Sequence, residues 1–251
     1  MRPFQGTRRN FLLTAPALIG VAAADAGGRP AAAALFGKDD KTNKDKEVGP
    51  TEDLMREHGV LRRALLVYRA SAPKLRRDPT RVDPPALRRA AALFKTFGHD
   101  YHEKKLEEAL LFPALRKAGG PAADYVDVLM AQHERGRQIT DYILTVTGKR
   151  TISVGDTEPL ARAFEAIALM YESHTAHEDT VVFPAWKNSL PDRDYREMGD
   201  KFEEIEKAMF GKDGFDDAVA EIADVEQTLG VADLAQFTAP EPPRVSVAAP
   251  P

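Results

Sequence analysis

The chain has 251 residues and a formal net charge of −4, with 43% hydrophobic and 29% charged residues, enough apolar material for one sizeable core plus extensions. The acidic balance excludes an electrostatic nucleic-acid binder, so paired basics such as Arg62-Arg63, Arg76-Arg77 and Arg88-Arg89 read as solvated helix faces. With no cysteine, disulfides, thiolate zinc sites, iron–sulfur clusters and covalently attached haem are excluded.

At the N-terminus, Thr7-Arg8-Arg9-Asn10-Phe11-Leu12-Leu13 opens an apolar stretch to Ala24, with small-residue cleavage candidates ending at Ala24 and Ala26. Paired Arg, a spacer, Phe and then Leu resemble a twin-arginine export signal over residues 1–26. That resemblance implies the twin-arginine export machinery as a partner and a periplasmic or secreted location. The pathway carries folded proteins, often with a cofactor already loaded. As a membrane span the segment is too short and too rich in Ala and Gly.

Residues 27–50, rich in Gly, Ala, Lys and Asp, read as a linker. A first helix is predicted from Thr51, with Glu52 and Asp53 in its first turn, to about Ala72, where Pro73 should end it. Asp83 should cap a second helix with Pro84 and Pro85 in its first turn, ending at Gly119-Gly120. Pro121 should open a third, closed by Gly148. Thr157-Glu158-Pro159 should start a fourth, running to about Trp186. Nothing alternates like a strand, so the class is all-α. Short loops between four long helices favour an up-down-up-down bundle over 51–188. Two more amphipathic segments, Asp192 to Phe210 and Phe215 to Leu229, make a C-terminal helical extension (189–237). Residues 238–251 have the composition of a disordered end.

The chemistry concentrates in six histidines between His58 and His177. Helical periodicity places each on an apolar face: His58 with Leu54, Leu61 and Leu65; His99 and His102 above Leu106 and Leu110; His133 with Val126, Leu129 and Met130; His174 and His177 with Ile167, Met170 and Val181. A lone histidine there is ordinarily a satisfied core residue. Six neutral imidazoles would each need partners for two ring nitrogens, which a metal cluster with bridging carboxylates provides collectively. Nitrogen-rich ligation with a few carboxylates suits iron, zinc or copper better than calcium or magnesium. No Glu-x-x-His occurs, so the ferritin-type motif is absent. None of His102-Glu103, His133-Glu134 and His177-Glu178 is completed as a zincin.

Two stretches nearly repeat: His99-Asp-Tyr-His102-Glu103 before Leu-Leu-Phe112-Pro113, and His174-Thr-Ala-His177-Glu178 before Val-Val-Phe183-Pro184. With a His in the first helix and Gln132-His133-Glu134 in the third, the chain from about Thr51 to Trp186 resembles the hemerythrin-like, HHE cation-binding family. The segment from Phe210-Gly211 to Leu229-Gly230 resembles the family's bacterial C-terminal extension. The resemblance implies two iron ions in a non-haem centre, bridged by two carboxylates and an oxo or hydroxo group, with one iron able to bind oxygen. His58, His133, His174 and Glu178 match the family pattern. In the second helix the Glu five residues before Phe112 is Glu107, but four before that stands Glu103 instead of His. His102 is one residue too early. Either a π-bulge aligns His102 with Glu107, or the helix stays regular, His99 or His102 ligates with Glu103, and Glu107 and Glu108 turn outward. The reading leans to His102 and Glu107, with Glu103 close behind. His99 and His177 are candidate outer donors, extra ligands or proton shuttles.

Such a centre would react with a small diatomic or peroxide ligand, namely O2, NO or hydrogen peroxide. An apolar pocket favours carriage and nearby proton donors favour turnover. Tyr68, Tyr101 and Tyr171 lie near the proposed ligands and tilt the reading towards redox detoxification. The competing class is a non-catalytic carrier, sensor or store. A haem held by two histidines would leave four histidines and the carboxylates unexplained, so no haem is expected. The electron donor is not identified by sequence.

Overall fold

The computed structural model describes residues 48–243. Residues 1–47, on which the expected export signal and most of the expected linker fall, and residues 244–251 lie outside the described residues. Among the described residues there is no strand, and no helix is long and apolar enough to cross a membrane.

Helix α1 is Pro50–Arg77, with Glu52 and Asp53 in its first turn and Lys74, Arg76 and Arg77 in its last, both complementing the helix dipole. It runs one turn beyond the expected stop. Pro73 removes one backbone donor, but Ala72 and Leu75 on either side are fully buried, and their packing carries the helix through. Helix α2 is one rod in three segments: Pro84–Leu93, a π-helical stretch Phe94–Leu111, and Phe112–Ala118. Asp83 occupies its N-cap without a side-chain cap bond, and Gly119 and Gly120, both at positive φ, end it.

Helix α3, Val126–Thr147, begins five residues after Pro121, because a 3₁₀ turn, Ala123–Tyr125, intervenes. Gly148 closes it. Helix α4 comprises Val154–His177, a short π segment Glu178–Val182 and Phe183–Asn188. Its start precedes the predicted one because Ser153 is the true cap, accepting from Asp156 N–H, and Pro159 falls early in the helix where it is tolerated.

Helices α1 and α4 pack together, as do α2 and α3, and α3 and α4, around a core of aliphatic and aromatic side chains. Helices α5 (Asp192–Phe210) and α6 (Gly214–Thr228) lie on the outside, against α1 and α2. Phe202 stacks on Trp186 at 6.0 Å, and Arg63 forks onto Glu226 at 2.9 and 2.5 Å. Buried Glu206 accepts the N–H groups of Gly214 and Phe215, satisfying the donors at the start of α6.

Candidate metal centre

Four histidines, one from each bundle helix, turn their Nε2 atoms to the core in two pairs. His58 and His102 stand 3.0 Å apart, and His133 and His174 stand 3.2 Å apart. Two carboxylates span the pairs. Glu107 reaches His102 at 3.4 Å with one oxygen and His133 at 3.3 Å with the other. Glu178 Oε2 lies 3.0 Å from His174 and 3.4 Å from His58. All six residues are buried, and none of the four carboxylate oxygens takes a hydrogen bond.

The π-helical stretch is what admits Glu107. In an i to i+5 helix, residues five apart stand above one another, so His102, Glu107 and Phe112 share one face. The N–H of Phe112 indeed donates to the Glu107 carbonyl. In α4 the spacing from His174 to Glu178 is four, the ordinary helical step, and a π turn follows at Glu178. Sequence spacing had pointed to a bulge in α2 only.

Each ring is fixed through its other nitrogen. Nδ1 of His58 donates to Asp179 at 2.7 Å, that of His102 to Glu57 at 2.6 Å, that of His133 to Glu108 at 2.9 Å, and that of His174 to the Gln132 amide oxygen at 2.9 Å. Carboxylates and amide oxygens only accept, so in the neutral rings Nδ1 carries the proton and Nε2 is left with the lone pair. Two facing lone pairs at 3 Å beside unpaired carboxylate oxygens are satisfied by a cation between them.

These outer acceptors close a ring around the bundle: α1 holds the histidine of α2, α2 that of α3, α3 that of α4, and α4 that of α1. The ring has a pseudo-twofold. Glu57-His58 corresponds to Gln132-His133, Glu107-Glu108 to Glu178-Asp179, and Arg62, paired with Asp179, to Arg137, paired with Glu108. Phe183 stacks on His58 at 5.3 Å and Phe112 on His133 at 5.6 Å, which gives the repeated Phe-Pro motif its packing role.

Burial opposes charge on His133, but Glu103, Glu107 and Glu108 outweigh it and raise its pKa to about 10. Burial and the His133 charge lower His174 to about 3. Burial and its neighbour Glu107 push Glu178 well up. Burial would do the same to Glu107, but His102 and His133 hold it well below the ordinary range.

Glu103 stands with Glu108 and His133 in a further group that could hold a cation, besides the two histidine pairs. One of its oxygens accepts the Tyr171 hydroxyl at 2.7 Å and the other accepts from His99 Nδ1 at 2.9 Å. Burial opposes its ionisation, yet His133 and His99 lower its pKa to about 2. His99 is buried and sits one turn from His102. His177 departs from the expected apolar face: it is exposed, with Nδ1 donating to the Ser173 carbonyl and its ring against Tyr125 at 5.7 Å. Three residues on from His174, it is rotated past the edge of the buried stripe. Sequence reasoning also missed the outer partners Glu57, Asp179 and Gln132. The one available signal was that each is the sequence neighbour of a proposed ligand.

The geometry agrees with the comparisons. The hemerythrin HHE cation-binding domain matches residues 49–186. The uncharacterized proteins Mb2018 of Mycobacterium bovis and Rv1995 of Mycobacterium tuberculosis are each 39% identical over 236 residues, covering 92% of this chain and 90% of theirs. No solved structure matches. The buried groups Glu107, His133, His174, Glu178 and His58, His102, Glu107 each have the composition of a cation site, and the chain belongs to the hemerythrin HHE cation-binding domain family.

Proposed function

We propose that this chain holds a non-haem di-iron centre that reacts with O2, hydrogen peroxide or nitric oxide in redox detoxification. His58 and His102 would hold one iron, His133 and His174 the other, with Glu107 and Glu178 shared between them. The observation that carries the reading is the pairing of four Nε2 atoms around four carboxylate oxygens that take no hydrogen bond. Close imidazole pairs with carboxylates between them suit small cations rather than a porphyrin plane.

When bound, the irons would supply redox equivalents and an open coordination position. The chain's own residues do the rest. Glu57, Glu108 and Asp179 draw on the Nδ1 protons of their imidazoles, which raises ligand basicity and fixes ring orientation. Phe112 and Phe183 cover the His133 and His58 rings and keep water from them. Tyr171 and His99, hydrogen-bonded through Glu103, place proton donors near the His133/His174 side. That favours turnover over simple carriage.

Anaerobic titration of oxygen into the reduced, iron-loaded protein tests the reading. A visible band that bleaches when oxygen is pumped off would mean carriage, the alternative class. Direct passage to a stable diferric spectrum is the result this proposal requires.

The proposed export to the periplasm or beyond rests on Arg8-Arg9 and the apolar stretch after them. Replacing both arginines with lysine should strand the chain in the cytoplasm, and unchanged export would refute it.

A further inference from the structure

Beside the centre lies a buried polar cluster that the ligand set does not use. Tyr171 of α4 donates its hydroxyl to Glu103 at 2.7 Å. The second oxygen of Glu103 accepts from His99, whose Nε2 meets the Thr140 hydroxyl at 2.9 Å. Tyr171, Glu103 and His99 are each only 1% exposed. A buried carboxylate is costly to keep unless its surroundings use it.

The tyrosine is placed deliberately. A Cβ on Gly136 would stand 2.0 Å from the phenol oxygen, so α3 must carry glycine where the hydroxyl passes it. The ring then lies edge-on to the His174 imidazole, 5.1 Å between centroids, with Phe94 at 5.1 Å on another side. Tyr68 provides the contrast. It is equally buried and stacked on Phe164, but its hydroxyl has no hydrogen-bond partner. A phenol oxidised in a dry core must shed its proton with its electron. Tyr171 has an acceptor for that proton and Tyr68 does not.

We propose that Tyr171 is a one-electron donor to the neighbouring centre, with Glu103 taking its proton; this rests on the di-iron reading above. Hydrogen peroxide would take two electrons from the centre and two protons from solvent as its O–O bond breaks to give two waters. One electron then passes from Tyr171 to the centre, which is reduced by one equivalent. The phenolic O–H bond breaks, an O–H bond forms on Glu103 Oε1, and a neutral tyrosyl radical remains, shielded from water by Phe94 and the helix backbones.

The test is electron paramagnetic resonance of the full, iron-loaded chain, frozen at intervals after hydrogen peroxide is added, with iron content measured on the same samples. A tyrosyl signal should form in the wild type and in Tyr68→Phe, and be absent in Tyr171→Phe. Glu103→Gln should slow its formation by about a hundredfold, the scale of a positioned base. A chain that binds two irons but gives no tyrosyl signal overturns the proposal and leaves the centre standing, as does a signal surviving in iron-loaded Tyr171→Phe. A chain that binds no iron overturns both readings.

Discussion

Glu57 of α1 accepts the Nδ1 proton of His102 on α2 at 2.6 Å, while its own neighbour His58 is held by Asp179 of α4. Each outer acceptor, the sequence neighbour of one proposed ligand, thus serves the histidine of a different helix. The four bundle helices are locked together by the same bonds that orient the imidazoles, which couples the bundle's closure to the readiness of the site.

Glu57→Gln should therefore keep the fold and loosen the metal. Losing the charge that an outer carboxylate places behind a ligating imidazole costs about 10–100-fold in metal affinity. Chelator competition would measure it. The pseudo-twofold supplies the reverse experiment: Gln132→Glu puts a carboxylate behind His174 and should tighten binding. Equal affinities for wild type and both variants would refute the role given to these acceptors.

Gly136→Ala should destabilise the protein although alanine is the better helix former by about 1 kcal/mol. The added methyl meets the Tyr171 hydroxyl at 2.0 Å, and overpacking of this kind costs about 1–3 kcal/mol. Gly59 is the control: beyond its chain neighbours and its own helix backbone, no atom lies within 4 Å of a Cβ there, so Gly59→Ala should stabilise by about 0.5–1 kcal/mol. Urea melts of the two variants should move in opposite directions.

Metal uptake should expel protons and stabilise the chain. Imidazoles bind metal through a lone pair, so any proton on His102 or His133 must leave first, and affinity rises with pH. Binding to the folded state alone adds stability as RT ln(1 + [L]/Kd). Acidification on iron addition in weakly buffered solution, with a higher melting temperature, is the expected pair of readings. Uptake without proton release would contradict the raised pKa that the surrounding carboxylates give His102 and His133.

The extension should matter for stability. Phe202 is fully buried and stacked on Trp186, so Phe202→Ala should cost about 3–5 kcal/mol. A melt unchanged by this substitution would mean that α5 does not pack as described.

Much of this was legible in the sequence. Period 3.6 alone puts His58, His133 and His174 on buried faces, and the fixed step of five from Glu107 to Phe112 and from Glu178 to Phe183 marks the two carboxylates. The one-residue misfit in the second helix was readable as a bulge, although periodicity says nothing of its reach, a π-helical run over Phe94–Leu111. The outer acceptors were hidden because their partners sit on other helices, 25 to 121 residues away. His177 was misplaced because 3.6 periodicity leaves position i+3 at the stripe's margin, where only tertiary packing decides. Pro73 and Pro121 misled for a shared reason: neighbouring residues, buried in one case and in a 3₁₀ turn in the other, set the helix ends instead.

The central claim is two irons between two histidine pairs. Metal analysis of the iron-loaded full chain, beside His174→Ala, Glu178→Ala and His177→Ala, tests it most directly. The account predicts two irons per chain in the wild type and in His177→Ala, and loss of stoichiometric iron from the other two variants. One iron or none in the wild type, or two retained in His174→Ala or Glu178→Ala, would contradict it.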